Sequence, residues 1–362
     1  MLLHPNPQPA VPAKRGRAAG YNVPNRFEQL HLEPDALELD DEDYKAKVPT
    51  RFMVDSSKSI LAENNSPDVG FQFSLNPYRG CEHGCVYCYA RPTHEYLGFS
   101  AGIDFETRIL VKENAPELLR DTFRKKSWEP QVVALSGNTD CYQPVERRLE
   151  ITRRCLEVFL EFRNPVTIIT KNALVTRDLD ILQQLAALDL VHVTLSITSL
   201  KRPLTAMMEP RTSRPEQRLG AIADLNDAGV PAGVNIAPLI PGLTDEEVPR
   251  ILEACAQQGA QWANYIMVRL PGAVKPLFID WLQRNMPDRA GKIVRRLEAV
   301  RNGELSDPRF GSRMQGEGQL ADVIASFFHL SRRRYRLENR NHDLATHHFR
   351  RTGHDQLSLF NT

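Results

Sequence analysis

FQFSLNPYRGCEHGCVYCY, residues 71–89, joins a short apolar run to three closely spaced cysteines. The run FQFSL is too short for a helix and predicts a β-strand. Cys81, Cys85 and Cys88 follow directly after it, at the carboxyl end of the predicted strand. The place that a glycine-rich dinucleotide fingerprint or a P-loop takes in nucleotide-binding folds is held here by a cysteine loop.

Short apolar runs of the same kind recur along the chain and alternate with amphipathic stretches. Runs rich in β-branched residues predict strands, and a glycine after an amphipathic stretch suits a helix end. Six strands that are each followed by a helical segment imply parallel pairing with right-handed crossovers. The predicted fold class is α/β, either an open doubly wound sheet or a full or partial (β/α) barrel. The predicted strands are residues 71–75, 131–136, 166–170, 191–197, 232–238 and 263–270, and the predicted helices are 113–126, 146–162, 176–188, 214–229 and 244–259.

Composition divides the chain into four regions. Residues 1–70 are Pro-rich and then acidic, and they predict a mostly irregular N-terminal arm. Residues 71–272 carry the alternation of strands and helices, and residues 273–349 predict a helical, basic C-terminal extension. Residues 350–362 are predicted to be a flexible tail.

The bulk composition limits the function. With 41% hydrophobic residues, 25% charged residues and a net charge of +1, the chain is not a globally basic nucleic-acid binder. No run approaches the roughly 20 apolar residues of a membrane span, and the Pro-rich N-terminus is unlike a signal peptide. We therefore expect a soluble, cytoplasmic protein without membrane contact, whose six cysteines serve metal or redox chemistry.

Three thiols in one compact loop indicate a metal centre. Iron–sulfur clusters are held by cysteine thiolates and normally take four of them. A [4Fe–4S] cluster held by Cys81, Cys85 and Cys88 would leave one iron open to a substrate or cofactor. The alternative is structural zinc with His83 or His94 as the fourth ligand, although zinc ligand pairs normally come from two separated knuckles.

The C-x3-C-x2-C spacing resembles the radical S-adenosylmethionine (SAM) superfamily, as do the aromatic residue before the last cysteine and the position after the first of six strands. The resemblance extends over roughly residues 71–270. It implies a partial (β/α)6 TIM-type barrel and a cluster whose open iron is chelated by the amino and carboxylate groups of SAM. Reduction by a donor such as flavodoxin or ferredoxin then cleaves SAM to methionine and a 5′-deoxyadenosyl radical, which abstracts a hydrogen atom from the substrate.

The stretch Cys85-Val-Tyr-Cys88-Tyr is similar to the C-x-Y-C-Y pattern of spore photoproduct lyases, a branch of that superfamily. In those enzymes the two tyrosines help to relay a hydrogen atom, which gives Tyr87 and Tyr89 a candidate catalytic role. Alternatively, Tyr87 only walls the adenine of SAM and Tyr89 only packs.

The resemblance also implies contacts to SAM at the ends of strands two and three. The loop LSGNTDCYQPVE, residues 135–146, takes the place where the superfamily binds the SAM amino group, and Asn138 and Thr139 offer oxygen acceptors to an ammonium. Asp140 adds charge there or caps the following helix. Lys171 ends strand three, where the lyases carry a lysine that pairs with the SAM carboxylate.

Further candidate contacts to SAM lie on strand four, in the stretch MEPRTSRPEQR that follows it, and on strand five. Ser196 and Thr198 share one face of their strand, and in the family that face looks into the barrel. Similar proteins use the arginine-containing stretch for ribose and carboxylate contacts, whereas an exposed salt bridge is the alternative interpretation. The residues assigned in this way are Ser196, Thr198, Arg211, Arg218 and Asn235.

One position departs from the lyase pattern. Photoproduct lyases use a cysteine in the strand-two loop to give a hydrogen atom to the substrate radical, and Gly137 stands at that position here. Cys141, four residues further on, is the candidate substitute, or else a small buried hydrophobe. Cys155 and Cys255 lie within helical patterns, and we expect them to pack in the core.

The chain finishes QLSLFNT, in which Gln356, Leu357, Leu359 and Phe360 resemble the bacterial sliding-clamp-binding pentapeptide Q-L-x-L-F. Apolar anchors and a hydrogen-bonding glutamine suit a peptide that docks in a groove. A terminal hook that packs on the chain's own domain is the alternative. Residues 332–351 upstream hold seven arginines. The motif and the basic segment together therefore favour DNA as the substrate.

The sequence supports three hypotheses. The first is a radical SAM enzyme of the photoproduct-lyase-like branch that acts on DNA in a lyase-type repair reaction and is recruited by the DNA polymerase sliding clamp. The second keeps the radical chemistry but assigns tRNA or a protein as the substrate. The third is a non-catalytic iron–sulfur protein that binds the clamp and senses redox state. The SAM-contact residues argue against the third, because a sensor has no need of them.

Overall fold

The computed structural model describes residues 16–28, 48–338 and 343–351. The clamp-like residues Gln356, Leu357, Leu359 and Phe360 lie outside the described residues, as does most of the Pro-rich start of the chain. The strands of the described part are β1 Arg51–Val54, β2 Leu61–Glu63, β3 Phe73–Leu75, β4 Tyr78–Arg79, β5 Arg108–Val111, β6 Val133–Leu135, β7 Val166–Thr170, β8 Val191–Ser196, β9 Ala232–Leu239 and β10 Ala263–Met267.

The larger sheet is built from six parallel strands in chain order, β3, β6, β7, β8, β9 and β10. β2 pairs antiparallel with β3 and adds one edge. β2 and β10 are the two ends of the strand order and do not pair with each other, so in the described part of the chain the sheet stays open. The predicted α/β class and the partial (β/α)6 barrel are therefore confirmed, and all six predicted strands are present.

Helices follow the parallel strands, and the five predicted helices are confirmed within a few residues. The predicted helix 146–162 is interrupted at Glu150, whose φ of +51° is left-handed. None of the helices in the described residues is long and apolar enough to cross a membrane. The α-helices are Ile103–Thr107, Ala115–Arg124, Glu146–Leu149, Ile151–Phe162, Leu179–Ala186, Arg202–Met208, Pro215–Asp227, Val248–Gln257, Val274–Asn285, Pro287–Ala299, Ser312–Gln315 and Gln319–Arg334, and 3₁₀ turns cover Arg91–Leu97, Ala173–Asp178 and Asp245–Glu247.

The parallel strands are buried on both faces but differ in what each face carries. On β8, Val193 and Leu195 join the main hydrophobic core, whereas Thr194 and Ser196 point to the opposite face. Ser196 lies directly across from Asn235 of β9. Because neighbouring parallel strands end at the same edge, these polar residues come together at the carboxyl end of the sheet.

A second, smaller sheet of three strands lies beside the first. β1 pairs parallel with β5, and β4 pairs antiparallel with β5. β1 and β2 fall within residues 1–70, for which we predicted a mostly irregular course. β4 leads directly into the cysteine loop, so this sheet anchors the start of that loop.

Side-chain contacts join the two edges of the open sheet. Asp68 lies in the loop between β2 and β3, and Arg313 lies on a short helix that packs against β10. The Asp68 carboxylate pairs with Arg313 and accepts a hydrogen bond of 2.6 Å from the Gly311 amide. Arg313 also donates to the hydroxyl of Ser66. Polar contacts therefore connect the two edges where strand pairing does not.

The N-terminal segment 16–28 packs against the region that follows the cysteine loop. Arg17 donates to the Glu106 carbonyl at 2.8 Å, and the Ala19 amide donates to the Glu106 carboxylate at 3.0 Å. Gly102 makes the closest approach, because a Cβ atom there would lie 2.1 Å from the carbonyl oxygen of Tyr21. The absence of a side chain at Gly102 thus lets the segment lie flat on this surface.

We predict that Gly102→Ala destabilises the protein by about 1–3 kcal/mol, because the added methyl group overlaps the Tyr21 backbone. The measurement is the free energy of unfolding in urea. Gly220→Ala is the matched control, since a Cβ on this helical residue meets nothing within 4 Å, and it should be neutral or stabilising by up to about 1 kcal/mol. Equal free energies of unfolding for the two variants would contradict the prediction.

Candidate functional site

A cavity of about 420 Å³ lies at the carboxyl ends of the parallel strands. This is the face on which barrels of this type assemble their active sites. The predicted site residues that line it are Cys81, Cys85, Cys88, Tyr87, Tyr89, Asn138, Thr139, Lys171, Ser196 and Asn235. The structure therefore brings together the three cysteines and seven further predicted residues from separate parts of the chain.

A buried ion pair fixes the backbone of the cysteine loop. Arg91 and Glu106 are both fully buried and lie 2.6 Å apart. Arg91 also donates to the carbonyls of Cys85 at 3.0 Å and Gly84 at 3.2 Å, so one guanidinium fixes the loop backbone. Gly84 has a left-handed φ of +65°, and a Cβ there would lie 2.7 Å from the Glu106 carboxylate. The loop is thus closely fitted to this pair.

Of the three thiols, Cys81 and Cys85 are buried and Cys88 is half-buried. Burial raises the pKa of the Cys81, Cys85 and Cys88 thiols above their usual range. At Cys85 and Cys88 the positive charge of Lys171 acts in the opposite direction. Because a metal centre binds cysteine as thiolate, binding of a cluster here would release the protons of these thiols.

The residues present fit an iron–sulfur cluster better than zinc. No group of three or more His, Cys, Asp or Glu side chains in the described residues is placed to hold a single metal ion. Both ring nitrogens of His83 are engaged, with Asp140 at 3.3 Å and Asn172 at 3.3 Å. His94 packs against Phe105 away from the cavity, and burial lowers its pKa to about 4. His83 is engaged and His94 does not line the cavity, so neither is placed to complete a zinc site, whereas three thiols along a cavity wall suit a cluster whose irons each take one thiolate.

Polar groups from three neighbouring strands face the cavity beyond the thiols. The Lys171 ammonium donates to the Ala237 carbonyl at 3.0 Å and lies 5.9 Å from the Tyr87 ring centre. The side-chain oxygen of Asn235 is buried and has no hydrogen-bond partner among the described residues. A buried acceptor without a donor is costly. Asn235 and Lys171 therefore offer an acceptor and a cation to a molecule such as SAM, which carries an ammonium, hydroxyls and a carboxylate.

The strand-two loop is shaped by hydrogen bonds to its backbone. Asn76 accepts from the amides of Asn138 at 2.8 Å and Thr139 at 3.2 Å. The Thr139 hydroxyl donates to the Tyr78 carbonyl at 2.6 Å. Both Asn138 and Thr139 reach the cavity, but the proton of the Thr139 hydroxyl is committed to the protein, which leaves its oxygen to act as an acceptor.

Asp140 ties the strand-two loop to its neighbours. Its carboxylate accepts from the Thr170 hydroxyl at 2.7 Å and the Lys171 amide at 2.8 Å, and it lies beside His83. Burial alone would raise the pKa of Asp140, but His83 and these hydrogen bonds outweigh burial and lower it to about 2. Asp140 thus stays ionised and orients the ends of three segments at the cavity.

A second buried network positions Tyr87. The Tyr87 hydroxyl donates to the Glu209 carboxylate, which also accepts from Thr198 at 2.6 Å and pairs with Arg218. Arg218 donates in addition to the Ser196 carbonyl at 2.8 Å. Thr198 and Arg218 do not line the cavity. In this structure they hold Tyr87 and the end of β8 in place, and their assignment as direct SAM contacts stays a prediction.

Two further predicted site residues do not line the cavity either. Arg211 does not line the cavity, because its guanidinium pairs with Glu82 at 3.1 Å. Cys141 is fully buried behind the strand-two loop, where its amide donates to Ser136 and its carbonyl accepts from Thr152, each at 2.7 Å. The Cys141 thiol is not among the groups that line the cavity, and its role as a hydrogen donor stays a prediction that the structure does not support.

Space at Gly137 is limited by the adjacent strand. A Cβ atom at Gly137 would lie 2.5 Å from the Cβ of Ser74 on the adjacent strand. The Gly137 carbonyl accepts a hydrogen bond of 2.8 Å from the Tyr89 hydroxyl. A cysteine at this position would require Ser74 to move, whereas glycine brings the loop close to both neighbours.

Sequence reasoning missed the arginines of the cavity and the pair behind the cysteine loop. Arg269 and Arg313 line the cavity together with Lys171. Arg269 lies within the last predicted strand, 263–270, but the observed strand β10 ends at Met267, so Arg269 follows it at the carboxyl end where active sites assemble. Nothing in the spacing of Arg91 and Glu106 marks them as partners, because their side chains meet only after the loop has folded.

We predict that Glu209→Gln lowers the free energy of unfolding of the apo-protein by about 3–5 kcal/mol at pH 7, because Arg218 is left buried without its counter-ion. Burial would raise the pKa of Glu209, but Arg218 and the surrounding donors lower it from 4.5 to about 2. The stability that this carboxylate contributes is therefore present above pH 4.5 and lost as the pH falls toward 2.

The measurement compares urea unfolding of wild type and Glu209→Gln across that pH range. The difference between their free energies of unfolding should be constant above about pH 5 and shrink between pH 4.5 and 2. Glu253→Gln, on an exposed helical position, is the control and should track wild type at every pH. A difference between wild type and Glu209→Gln that does not change with pH would contradict the prediction.

Comparisons with known proteins place this geometry in a family. The sequence profile of the Radical SAM superfamily matches residues 75–255. An uncharacterised protein of Mycobacterium tuberculosis is 34% identical over 265 residues, which cover 73% of this chain and 76% of that relative. An uncharacterised protein of Methanocaldococcus jannaschii is 30% identical over 178 residues, which cover 49% of this chain and 64% of that relative.

Solved structures show the same fold at low sequence identity. A spore photoproduct lyase variant has a TM-score of 0.58 at 15% identity, with 79% of each chain covered. Spore photoproduct lyase complexed with dinucleoside spore photoproduct has a TM-score of 0.56 at 16% identity, with 78% of each chain covered. From the profile match, which covers half of the chain, it follows that this chain belongs to the radical SAM superfamily, whose cofactors are a [4Fe–4S] cluster and SAM.

Proposed function

We propose that this radical SAM enzyme acts on DNA, in a repair reaction of the photoproduct-lyase type. When bound and reduced, the cluster supplies the electron that cleaves SAM to methionine and a 5′-deoxyadenosyl radical, which abstracts a hydrogen atom from the substrate. An external reductant, such as flavodoxin or ferredoxin, is required. The residues of the chain bind and orient the cofactors and keep water away from them.

The proposal gives each side chain of the cavity a role. Cys81, Cys85 and Cys88 hold the cluster. Lys171 pairs with the SAM carboxylate, since it is a cation on the cavity wall near the thiols. Asn235 accepts a hydrogen bond from SAM, which would satisfy its buried oxygen. Asn138, Thr139 and Ser196 complete the contacts at the ends of their strands.

The choice of DNA as substrate depends on one observation, the pairing of Tyr89 with Arg269 beside the cavity. Tyr89 is 47% exposed, yet its hydroxyl is fixed by the Gly137 carbonyl. The Arg269 guanidinium lies 5.8 Å from the centre of its ring. An aromatic ring next to an arginine suits a base and its phosphate. The neighbour that is complexed with a dinucleoside spore photoproduct supports the same substrate class.

The departure at Gly137 changes the hydrogen relay within this proposal. Among the described residues, the cysteines that line the cavity are the three assigned to the cluster. No further thiol is at hand to return a hydrogen atom to the substrate. Tyr89, whose hydroxyl donates to the Gly137 carbonyl, takes that part of the relay in our proposal, with Tyr87 behind it.

The experiment uses protein reconstituted anaerobically with iron and sulfide and then mixed with SAM and dithionite. We expect formation of 5′-deoxyadenosine, faster with ultraviolet-irradiated duplex DNA, and transfer of deuterium from labelled DNA to the 5′-carbon. Cys88→Ala should abolish both. Cys155→Ala is the matched control, because this thiol is buried in the main core away from the cavity, and it should keep both.

Each failure of this experiment has a distinct meaning. Rate enhancement and label transfer from tRNA or a peptide instead of DNA would contradict the DNA assignment and leave the radical chemistry intact. A cluster whose spectrum does not respond to SAM would support the non-catalytic redox sensor. Full activity of Cys88→Ala would remove the cysteine loop as the cluster site.

We also propose that Gln356, Leu357, Leu359 and Phe360 bind the DNA polymerase sliding clamp. Two leucines and a phenylalanine bury apolar surface at roughly 1.5–3 kcal/mol each before the cost of ordering the peptide. We predict that deletion of residues 356–360, or alanine at both Leu359 and Phe360, abolishes co-elution with the clamp and leaves the iron content unchanged. Ser358→Ala alters the variable position of the motif and should co-elute like wild type. Unchanged co-elution of the deletion variant would disprove the assignment.

A further inference from the structure

Arg269 is a half-buried cation of the cavity wall without a counter-ion. It follows β10 and lines the cavity, but in the part of the chain that the structure describes it makes neither a hydrogen bond nor an ion pair. Its guanidinium lies over the Tyr89 ring. A guanidinium carries five N–H donors that need acceptors. An arginine held in this way is therefore prepared for an anion.

The nearest carboxylate does not neutralise Arg269. Asp68 is the carboxylate whose negative charge raises the pKa of Arg269. It already pairs with Arg313 and accepts a hydrogen bond from the Gly311 amide. Arg313 is itself a neighbouring cation of the same wall. The one carboxylate is thus taken by Arg313, and the charge of Arg269 remains as excess positive charge at this side of the cavity.

Arg269 lies on the opposite side of the site from the cation assigned to SAM. Lys171 follows β7 and Arg269 follows β10, with β8 and β9 between them. The positive charge of Lys171 lowers the pKa of the cluster thiols Cys85 and Cys88, whereas the Arg269 guanidinium lies over the Tyr89 ring. SAM bound against the cluster would leave the Arg269 side of the cavity for the substrate.

The ring of Tyr89 orients Arg269. Its hydroxyl is bound to the Gly137 carbonyl, so the ring is fixed at one end and its face supports the guanidinium. The planar guanidinium fork matches two oxygens of a phosphate, which a lysine cannot do. Both observations favour a phosphate over a neutral ligand.

We propose that Arg269, with Arg313 beside it and Tyr89 beneath it, binds a backbone phosphate of the substrate next to the reacting base. The inference rests on the proposed nucleic-acid substrate and makes it more specific, because it assigns a phosphodiester to a named subsite. The contact positions the strand and reads no sequence.

The test uses the reconstituted enzyme with SAM bound, and thymidine dinucleotide with one phosphodiester as a fluorescent probe. We expect Arg269→Gln to weaken binding of the dinucleotide about tenfold. The slope of log affinity against log salt should fall by about 0.7 for the lost phosphate contact. Wild type should bind the uncharged methylphosphonate dinucleotide no better than Arg269→Gln binds the phosphodiester. Arg269→Lys should keep the salt slope and lose part of the affinity.

Controls separate the subsite from the fold and from the proposed function. Arg295→Gln removes an exposed arginine that does not line the cavity, and it should bind both probes like wild type. Unchanged affinity and slope for Arg269→Gln would overturn the subsite, as would an equal loss for the uncharged probe or a loss of SAM binding instead. Arg269-dependent binding of the phosphodiester without label transfer from DNA would support the subsite while the DNA-repair proposal failed. Label transfer from DNA that is equal in wild type and Arg269→Gln would overturn the subsite and support the DNA-repair proposal.

Discussion

The buried ion pair between Arg91 and Glu106 is the interaction on which the rest of the site depends. Both side chains are fully buried, so removing either would leave an unpaired charge in the interior. Arg91 donates a hydrogen bond to the backbone of the cysteine loop, and the Glu106 carboxylate accepts a hydrogen bond from the Ala19 amide of the N-terminal segment. The position of the thiols is thus set by two charges that touch neither cluster nor substrate. A segment distant in sequence is part of the same assembly, which gives residues 16–28 a structural role.

The strands, the principal helices and the cysteine loop were predictable because their signals are local. Runs such as VTIIT at β7 have the composition and length of buried parallel strands, and the loop follows the first of them. The small sheet was missed because β1 pairs with β5 across more than fifty residues, and a four-residue run carries no sign of its partner. The directions in which side chains point could not be predicted from the sequence either. Thr198, Arg211 and Arg218 stand where contacts to SAM are expected, but buried carboxylates turn them toward the protein.

The site combines two kinds of polar group. Asp140 and Glu209 are ionised, buried and fully engaged, and each connects segments that end at the cavity. Asn235 and Arg269 are the opposite, with donors or acceptors that the described protein leaves without partners. A stable scaffold requires the first kind, because partly satisfied charges would loosen it. Binding requires the second kind, since a ligand contributes most where the protein has left a group unpaired.

The contact of Asp68 with Arg313 and Gly311 has a consequence for access. It joins the two edges of the open sheet by side chains, where a closed barrel would have a continuous ladder of backbone hydrogen bonds. Parting these contacts would break a few largely buried polar interactions and leave every strand pair intact, so the two edges would separate along one line. A long polymer could then be admitted sideways through this slit, with no need to thread one of its ends into a pore. The same open wall that makes the barrel incomplete is what would let its interior chemistry reach the middle of a strand.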